Sequence, residues 1–261
     1  MIINYRISQL VPYINWVYYF YAWQVRDEAE KQRMQREAMD KLAELEDKYQ
    51  VHAIFLLFDA NSDDDDIVLS TGKHIPCLRQ QQGNPPYLCL ADFIRPQSCG
   101  INDKIGLFAT TVDIGLETDF DDDVYQKMMV QLLADRLAEA AAEMLYLQVR
   151  KEIWGYAKDE ELSIPDILVE RFQGIRPAVG YPSLPDTSLN FVLDDILDMK
   201  QIGIRLTESG AMKPHASVSG MMIANPKAKY FSIGKIGEDQ LQDYARRRGL
   251  PVEVVRKFVT L

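Results

Sequence analysis

The stretch GIRPAVGYP, residues 174–182, places one arginine and one tyrosine among two glycines and two prolines. A guanidinium can bind an anionic group through two parallel hydrogen bonds, which fix the orientation of that group. Alanine and glycine carry little or no side chain, so Ala178 and Gly180 let a ligand approach the backbone. Proline restricts φ, so Pro177 and Pro182 stiffen the segment. These residue types predict a rigid loop that presents Arg176 and Tyr181.

A second feature is a row of acidic residues on a predicted helix. Asp135, Glu139 and Glu143 follow one another at four-residue spacing, which places them on one face of that helix. Like charges at this spacing destabilise an isolated helix, and alanines lie beside them, so the row is compatible with a cationic ligand. The alternative is that Arg136 and Lys127 offset the row on a solvated face.

Residues with the spacing of other common sites are absent from the sequence. There is no GxSxG elbow, no GxGxxG after a strand and no GKS/T phosphate loop. The acidic run at 59–66 lacks the glycine and the distal glutamate of an EF-hand loop. We therefore predict no metal site, because no metal-binding spacing connects His52, His74, His215, Cys77, Cys89 and Cys99. The three cysteines form no CxxC pair, so we also predict reduced, mostly buried thiols.

Composition predicts one globular domain of the α+β class over residues 1–261. The chain is 47% hydrophobic and 26% charged, and its formal net charge is −10. An acidic surface repels phosphate backbones, so nucleic acid is not an expected partner. The aromatic run at 11–23 is too short to span a bilayer and lacks a signal-peptide cleavage site. We therefore expect a cytoplasmic protein with no membrane partner.

Periodicity predicts a twisted, mainly antiparallel sheet flanked by long helices. The strands follow one another without intervening helices, which does not fit repeated βαβ units. Apolar runs predict strands at 52–58, 67–72, 86–94, 105–114, 217–223 and 230–236. Helical spacing predicts a surface helix at about 24–50, one long helix at 121–157, and shorter helices at 164–172, 188–202, 238–249 and 251–259. The run at 59–66 is predicted to be an acidic loop.

Ten motifs occur in the order found in one known family. They are YINWVYYFYAW, LRQQ, CLADFI, LADRLAEAAAE, VRKEIWGYA, GIRPAVGYP, LTESGAM, SVSG, KYFSIGKI and DQLQDYARRRG. Each motif alone is weak evidence, but their order along nearly the whole chain is specific. The chain resembles the activation domain of cobalamin-dependent methionine synthase. The chain has no room for the other modules of that synthase, so we expect it to be a free-standing activation module.

The resemblance implies binding of S-adenosylmethionine and support for reductive remethylation of cobalamin. The cobalamin would be supplied by a partner, a methionine synthase that lacks its own activation domain. A flavodoxin or reductase would supply the electron. The protein's work would be to orient the sulfonium methyl group, so no catalytic residue is expected and enzyme activity of the chain alone is uncertain.

The resemblance also assigns roles to individual residues. Arg176 would hold the carboxylate of the ligand, and Glu139 would face its ammonium or sulfonium charge. Asp135 and Tyr181 would face the cobalamin. The residues expected to contact S-adenosylmethionine are Asn15, Glu139, Arg176, Ala178, Gly180, Tyr181, Tyr230 and Phe231, with Tyr230 and Phe231 on a strand that lines the adenosine pocket.

Three positions depart from the family's pattern. Asn15 stands where the family commonly has aspartate, and we expect about 1 kcal/mol weaker binding because charge assistance is lost. Thr187 and Asn225 each stand where the family has histidine. Two alternatives to the function of an activation module therefore remain. One is an interaction protein that kept the fold but lost the ligand, and the other is a methyl-donor module for a different corrinoid protein.

Overall fold

The computed structural model of the protein describes residues 1–259, and strands and helices both occur in each half of the chain. The strands are β1 (Ile2–Tyr5), β2 (Val51–Asp63), β3 (Asp66–Leu69), β4 (His74–Pro76), β5 (Asp103–Val112), β6 (Arg205–Leu206), β7 (Met212–Lys213) and β8 (Ser217–Met222). The helices are α1 (Ile7–Leu10), α2 (Trp16–Ala22), α3 (Glu28–Leu45), α4 (Gly115–Thr118), α5 (Val124–Gln148), α6 (Ile164–Leu168), α7 (Leu189–Leu197), α8 (Glu238–Arg248) and α9 (Val252–Phe258).

Six of these strands form one curled antiparallel sheet. The order is β4-β3-β2-β5-β8, and β1 pairs with the first residues of β2. The thirteen-residue β2 reaches across the sheet: residues 51–54 lie between β1 and β5, β5 pairs with β2 as far as Ala60, and residues 60–63 pair with β3. The predicted α+β class with a mainly antiparallel sheet is confirmed.

The two faces of the sheet are covered by different helices. Val51 and Phe55 of β2 belong to the apolar core that α5 and α3 share. Ile54, which points to the opposite face, belongs to a second core with α7. The small side chains at 138 and 140–142 of α5 are fully buried and let this helix approach the sheet. The hydroxyl of Thr110 on β5 donates to the carbonyl oxygen of Ala138 at 2.9 Å, which fixes α5 against the sheet.

The long helix is shorter than predicted. It begins at Val124, because the Asp123 carboxylate accepts hydrogen bonds from the backbone of Tyr125 and Gln126. It ends at Gln148, and a π-helical turn over Val149–Ile153 follows. The prediction of one helix over 121–157 therefore holds for its central 25 residues.

Two predicted strands are wrong. Residues 90–93 form a 3₁₀ turn, because the Asp92 carboxylate accepts a hydrogen bond from the backbone N–H of Cys89 at 2.8 Å. Residues 230–236 are irregular and do not pair in a ladder. Their backbone instead bonds to separate loops: Ile233 N–H donates to the Pro182 carbonyl at 2.9 Å, and the Gln80 amide donates to the Ser232 carbonyl at 2.7 Å.

The acidic run at 59–66 is also mostly strand instead of loop. Ala60 pairs with Leu69, and Asp63 pairs with Asp66, so β2 continues through most of the run. Only the tip turns, where Asp64 adopts a positive φ of 49°.

The remaining helices follow the predicted pattern with shorter bounds. The surface helix α3 buries the predicted apolar stripe of Met34, Ala38, Leu42 and Leu45. The helix predicted at 164–172 ends at Leu168, and the one predicted at 188–202 divides into α7 and a 3₁₀ turn. Of the cysteines, Cys99 is exposed and the other two are buried. Within residues 1–259, no helix has both the length and the apolar character needed to cross a bilayer.

Candidate functional site

The segment GIRPAVGYP lies along β8. Ile175 and Ile223 exchange backbone hydrogen bonds at 3.0 and 2.9 Å, and Val179 N–H donates to the Ser219 carbonyl at 2.9 Å. The two backbones lie very close together at Gly220, where an added Cβ would lie 2.3 Å from the Pro177 carbonyl oxygen. Glycine at 220 is therefore required for the segment to reach the sheet.

A tight turn follows and orients Tyr181. Gly180 has a φ of +88°, a left-handed conformation that glycine adopts without strain, and its N–H donates to the Leu184 carbonyl at 2.8 Å. The Tyr181 ring is about half exposed, and its hydroxyl donates to Glu139 Oε1 at 2.7 Å. The sequence segment is thus tied both to the sheet and to α5.

These elements enclose a cleft of about 650 Å³. That volume lies within the usual range for small-molecule sites. Seven of the eight residues predicted to contact the ligand line it: Asn15, Glu139, Arg176, Ala178, Tyr181, Tyr230 and Phe231. Gly180 is not among the lining residues and acts through the turn instead.

An ion pair lies in the wall of the cleft. Arg176 Nη2 donates to Glu143 Oε1 at 2.6 Å, and the two side chains are only 9% and 17% exposed. Burial lowers the pKa of the Arg176 guanidinium, but the carboxylates of Glu143 and Glu139 more than offset it and hold this pKa above its usual value. Arg176 Nε and Glu143 Oε2 are buried and have no hydrogen-bond partner among residues 1–259.

Glu143 is a lining residue that the sequence analysis named in the acidic row but did not include among the expected ligand contacts. The available signal was its position four residues after Glu139 in the acidic row. Of the other two residues in that row, Glu139 lines the cleft and Asp135 does not. Of the two cations expected to offset the row, Lys127 pairs with Asp121, whereas Arg136 lines the cleft.

The charges that line the cleft favour a cation. Carboxylates of Glu139, Glu143 and Glu170 face guanidiniums of Arg136 and Arg176, so three negative and two positive groups give a formal balance of −1. Burial raises the pKa of Glu170, and the nearby Glu143 carboxylate raises it further. A ligand with one net positive charge would neutralise this lining.

Tyr230 and Phe231 reach the cleft from an irregular segment, not from the predicted strand. The Tyr230 hydroxyl accepts a hydrogen bond from the backbone N–H of Arg176 at 2.9 Å. Burial raises the pKa of Tyr230 to about 12, so its hydroxyl stays protonated at neutral pH. Phe231 contacts the Phe93 ring, which fixes one side of the cleft.

Asn15 has a structural role beside its place in the cleft. It caps α2, because its Oδ1 accepts from the Val17 N–H at 3.2 Å. Thr187 and Asn225 do not line the cleft. The Thr187 hydroxyl donates to the Phe258 carbonyl at 3.4 Å and the Asn225 amide to the Phe93 carbonyl at 3.0 Å, so Thr187 is tied to the end of α9 and Asn225 to the 3₁₀ turn at 90–93.

Asp135 lines a second, smaller cavity of about 270 Å³ together with Glu117 and His215. Burial raises the pKa of the Asp135 carboxyl, and the Glu139 carboxylate adds to the rise although Arg136 opposes it. An acid with a raised folded-state pKa costs stability when it ionises. Stability therefore increases as pH falls through that raised pKa.

We expect Asp135→Asn to increase the free energy of unfolding at pH 7 by about 0.5 kcal/mol, because the partly buried charge is removed. Urea unfolding at pH 7 and at pH 4 measures this, and the advantage of the variant should shrink at the lower pH, where part of the wild-type carboxyl is protonated. Asp40→Asn on the exposed face of α3 controls for the loss of one charge. A variant less stable than wild type at pH 7 would contradict the assignment.

Comparison with known proteins agrees with this geometry. The family model for the activation domain of vitamin B12-dependent methionine synthase matches residues 6–249. A solved structure described as the MetH reactivation domain bound to AdoHcy is 38% identical. The superposition covers 99% of this chain and 88% of that one with a TM-score of 0.93. The chain therefore belongs to the activation-domain family of vitamin B12-dependent methionine synthases.

Proposed function

We propose that this protein binds S-adenosylmethionine in the cleft and supports the reductive remethylation of cobalamin held by a methionine synthase. The observation that carries the proposal is the buried Arg176 in the wall of a cleft whose lining has a formal charge of −1. S-adenosylmethionine carries a carboxylate, an ammonium and a sulfonium, so its net charge is complementary. The related domain described as bound to AdoHcy supports the same class of ligand.

The chain's own residues would bind and orient the ligand. Arg176 and Glu139 both line the cleft, where Arg176 would bind a carboxylate and Glu139 presents a second carboxylate oxygen near the Tyr181 hydroxyl. The bridge between Ala178 and Gly220 holds the backbone of the segment at the sheet. When bound, S-adenosylmethionine supplies an electrophilic methyl group on sulfonium sulfur. Since the nucleophile would be cobalt, the protein contributes position and not a general base.

The remaining parts of the proposal concern the partner. The cobalamin would come from a methionine synthase lacking its own activation domain, on which this protein would act in trans in the cytoplasm. Asp135 and Tyr181 would face that cobalamin domain, and a flavodoxin or a reductase would deliver the electron. Tyr181 supports this arrangement because its ring is about half exposed at the rim of the cleft.

Calorimetric titration with S-adenosylmethionine tests the binding step. We expect saturable one-to-one binding by wild type. Asn15→Asp should bind about fivefold more tightly, because an aspartate adds charge to any hydrogen bond that position makes with the ligand. Aspartate caps a helix as well as asparagine does, so the fold of α2 should not change.

The outcomes separate the proposal from its competitors. Absence of binding at millimolar ligand by both wild type and Asn15→Asp would favour an interaction protein that lost the ligand. If binding occurs, the cobalamin partner is tested by adding a cob(II)alamin-loaded methionine synthase fragment and a reductant, and following methylcobalamin by absorbance. Remethylation of a different corrinoid protein, but not of the synthase fragment, would favour the methyl-donor alternative.

A further inference from the structure

A fully buried arginine lies on the π-helical turn that follows α5. The Arg150 side chain is 0% exposed, and its Nε donates to the Glu160 carboxylate at 2.7 Å. Its Nη1 and Nη2 groups are buried and have no hydrogen-bond partner within residues 1–259. A side chain without exposed surface cannot touch a ligand in the cleft. Any effect of Arg150 on binding must therefore pass through the residues that it contacts.

Two aromatic rings contact the guanidinium of Arg150. Its central carbon lies 4.5 Å from the centre of the Tyr146 ring and 4.4 Å from the centre of the Phe172 ring. The two rings meet edge to face with their centres 5.0 Å apart, so the guanidinium fills the corner between them. A guanidinium is flat, weakly hydrated and attracted to ring faces. The contact therefore holds Phe172 against α5, the helix that carries Tyr146.

Both rings are connected to the wall of the cleft. Residues 168–173 join α6 to the segment GIRPAVGYP, and within them Glu170 lines the cleft. Phe172 lies two residues after Glu170 in this connection. The Tyr146 hydroxyl donates to the Gln173 carbonyl at 3.4 Å. The two rings thus hold the last two residues of the connection, directly before the segment GIRPAVGYP.

The backbone of the connection requires this support. Glu170 has a φ of 60°, a left-handed conformation that residues other than glycine adopt at a cost. Such a conformation persists only where the surrounding structure fixes it. Stability alone, by contrast, does not require a charge at position 150, because exchanging a buried ion pair for uncharged residues of similar size often leaves stability unchanged.

We propose that Arg150 is a positioning residue for the ligand-binding cleft. By holding Phe172 against α5, its guanidinium keeps the connection 168–173 in the place where Glu170 lines the cleft. This inference rests on the proposed function and adds to it a residue outside the cleft that controls ligand affinity. The flat shape of the guanidinium carries this role, because it contacts both rings at once.

The test separates ligand affinity from stability. In Arg150→Met combined with Glu160→Gln no buried charge remains unpaired, so the midpoint of urea unfolding should stay within about 0.5 M of wild type. Calorimetry with S-adenosylhomocysteine should nevertheless show at least about fivefold weaker binding, because the ligand must then order a loosened wall. Arg150→Lys keeps the charge but loses the flat contact surface, so its affinity should fall by at least about threefold.

A control variant and a second readout accompany the titration. Ile67→Val changes a fully buried side chain on β3, three strands away from β8 in the sheet order. It should lower the urea midpoint and leave the affinity within about twofold of wild type. Hydrogen exchange without ligand, followed by mass spectrometry, should be faster over residues 168–174 in the double variant and unchanged over β3.

Each outcome decides a separate question. If wild type binds neither S-adenosylmethionine nor S-adenosylhomocysteine, the proposed function fails and this inference fails with it. If wild type binds and the folded double variant binds equally well, only the role of Arg150 is overturned. Unchanged exchange over residues 168–174 overturns it as well. Should the double variant not fold, Arg150→Lys decides: wild-type affinity contradicts the inference, and weaker binding by the folded variant supports it.

Discussion

Arg176→Met should weaken S-adenosylmethionine binding by at least about tenfold, because the ligand loses a charged hydrogen-bond donor. The same change should lower the free energy of unfolding by about 3 kcal/mol at pH 7, since it leaves the largely buried Glu143 without its cation. Calorimetry measures the first effect and urea unfolding the second. Both effects come from one guanidinium, but they should separate in a second variant.

Removing the partner charge tests that separation. Arg176→Met combined with Glu143→Gln should recover much of the lost stability and none of the affinity, because no buried charge remains unpaired. Arg171→Met is the matched control, since Arg171 is 71% exposed and forms a surface ion pair with Asp166. It should change stability by less than about 1 kcal/mol. Unchanged ligand affinity in the folded Arg176 variant would contradict the site.

Gly220→Ala should strongly destabilise the protein. A Cβ at this position would lie 2.3 Å from the Pro177 carbonyl oxygen and 2.9 Å from Ala178 Cα, so backbone would have to move. We expect a loss of about 3 kcal/mol in the free energy of unfolding, at the upper end for overpacked sites. Ligand affinity should fall as well, since the segment that carries Arg176 is displaced.

The control for this prediction is another glycine with an ordinary backbone conformation. In Gly237→Ala the added methyl would meet only the side-chain ends of Asp239 and Gln81, which can move. Thermal unfolding and calorimetry of both variants compare the effects directly. If Gly220→Ala behaves like Gly237→Ala, the close approach of the segment to β8 is not required for binding.

Local signals in the sequence predicted the structure correctly where the residues that begin and end an element lie within that element. Helix α8 has acids in its first turn, arginines in its last turn and Gly249 at its C-terminus, and it forms within a residue of the predicted bounds. The order of ten motifs identified the family, which the comparisons confirm. The α+β class followed from strands without intervening helices.

The signals failed where distant partners decide the structure. Residues 230–236 have the composition of a strand, but their backbone partners lie in two separate loops, so no ladder forms. Residues 90–93 turn because Arg79 and the Cys89 N–H both bind the Asp92 carboxylate. The position of Glu143 beside Arg176 joins residues 33 apart in sequence, and periodicity carries no information about such a pair.

The position of the GIRPAVGYP segment has a consequence for solubility. β8 is the last strand of the sheet order, and its outer edge is covered by hydrogen bonds from this segment. An uncovered edge strand is a template for pairing between molecules, which leads to aggregation. A ligand that fastens Arg176 also keeps that edge covered. Storage with S-adenosylhomocysteine should therefore slow aggregation, and variants that loosen the segment should aggregate sooner.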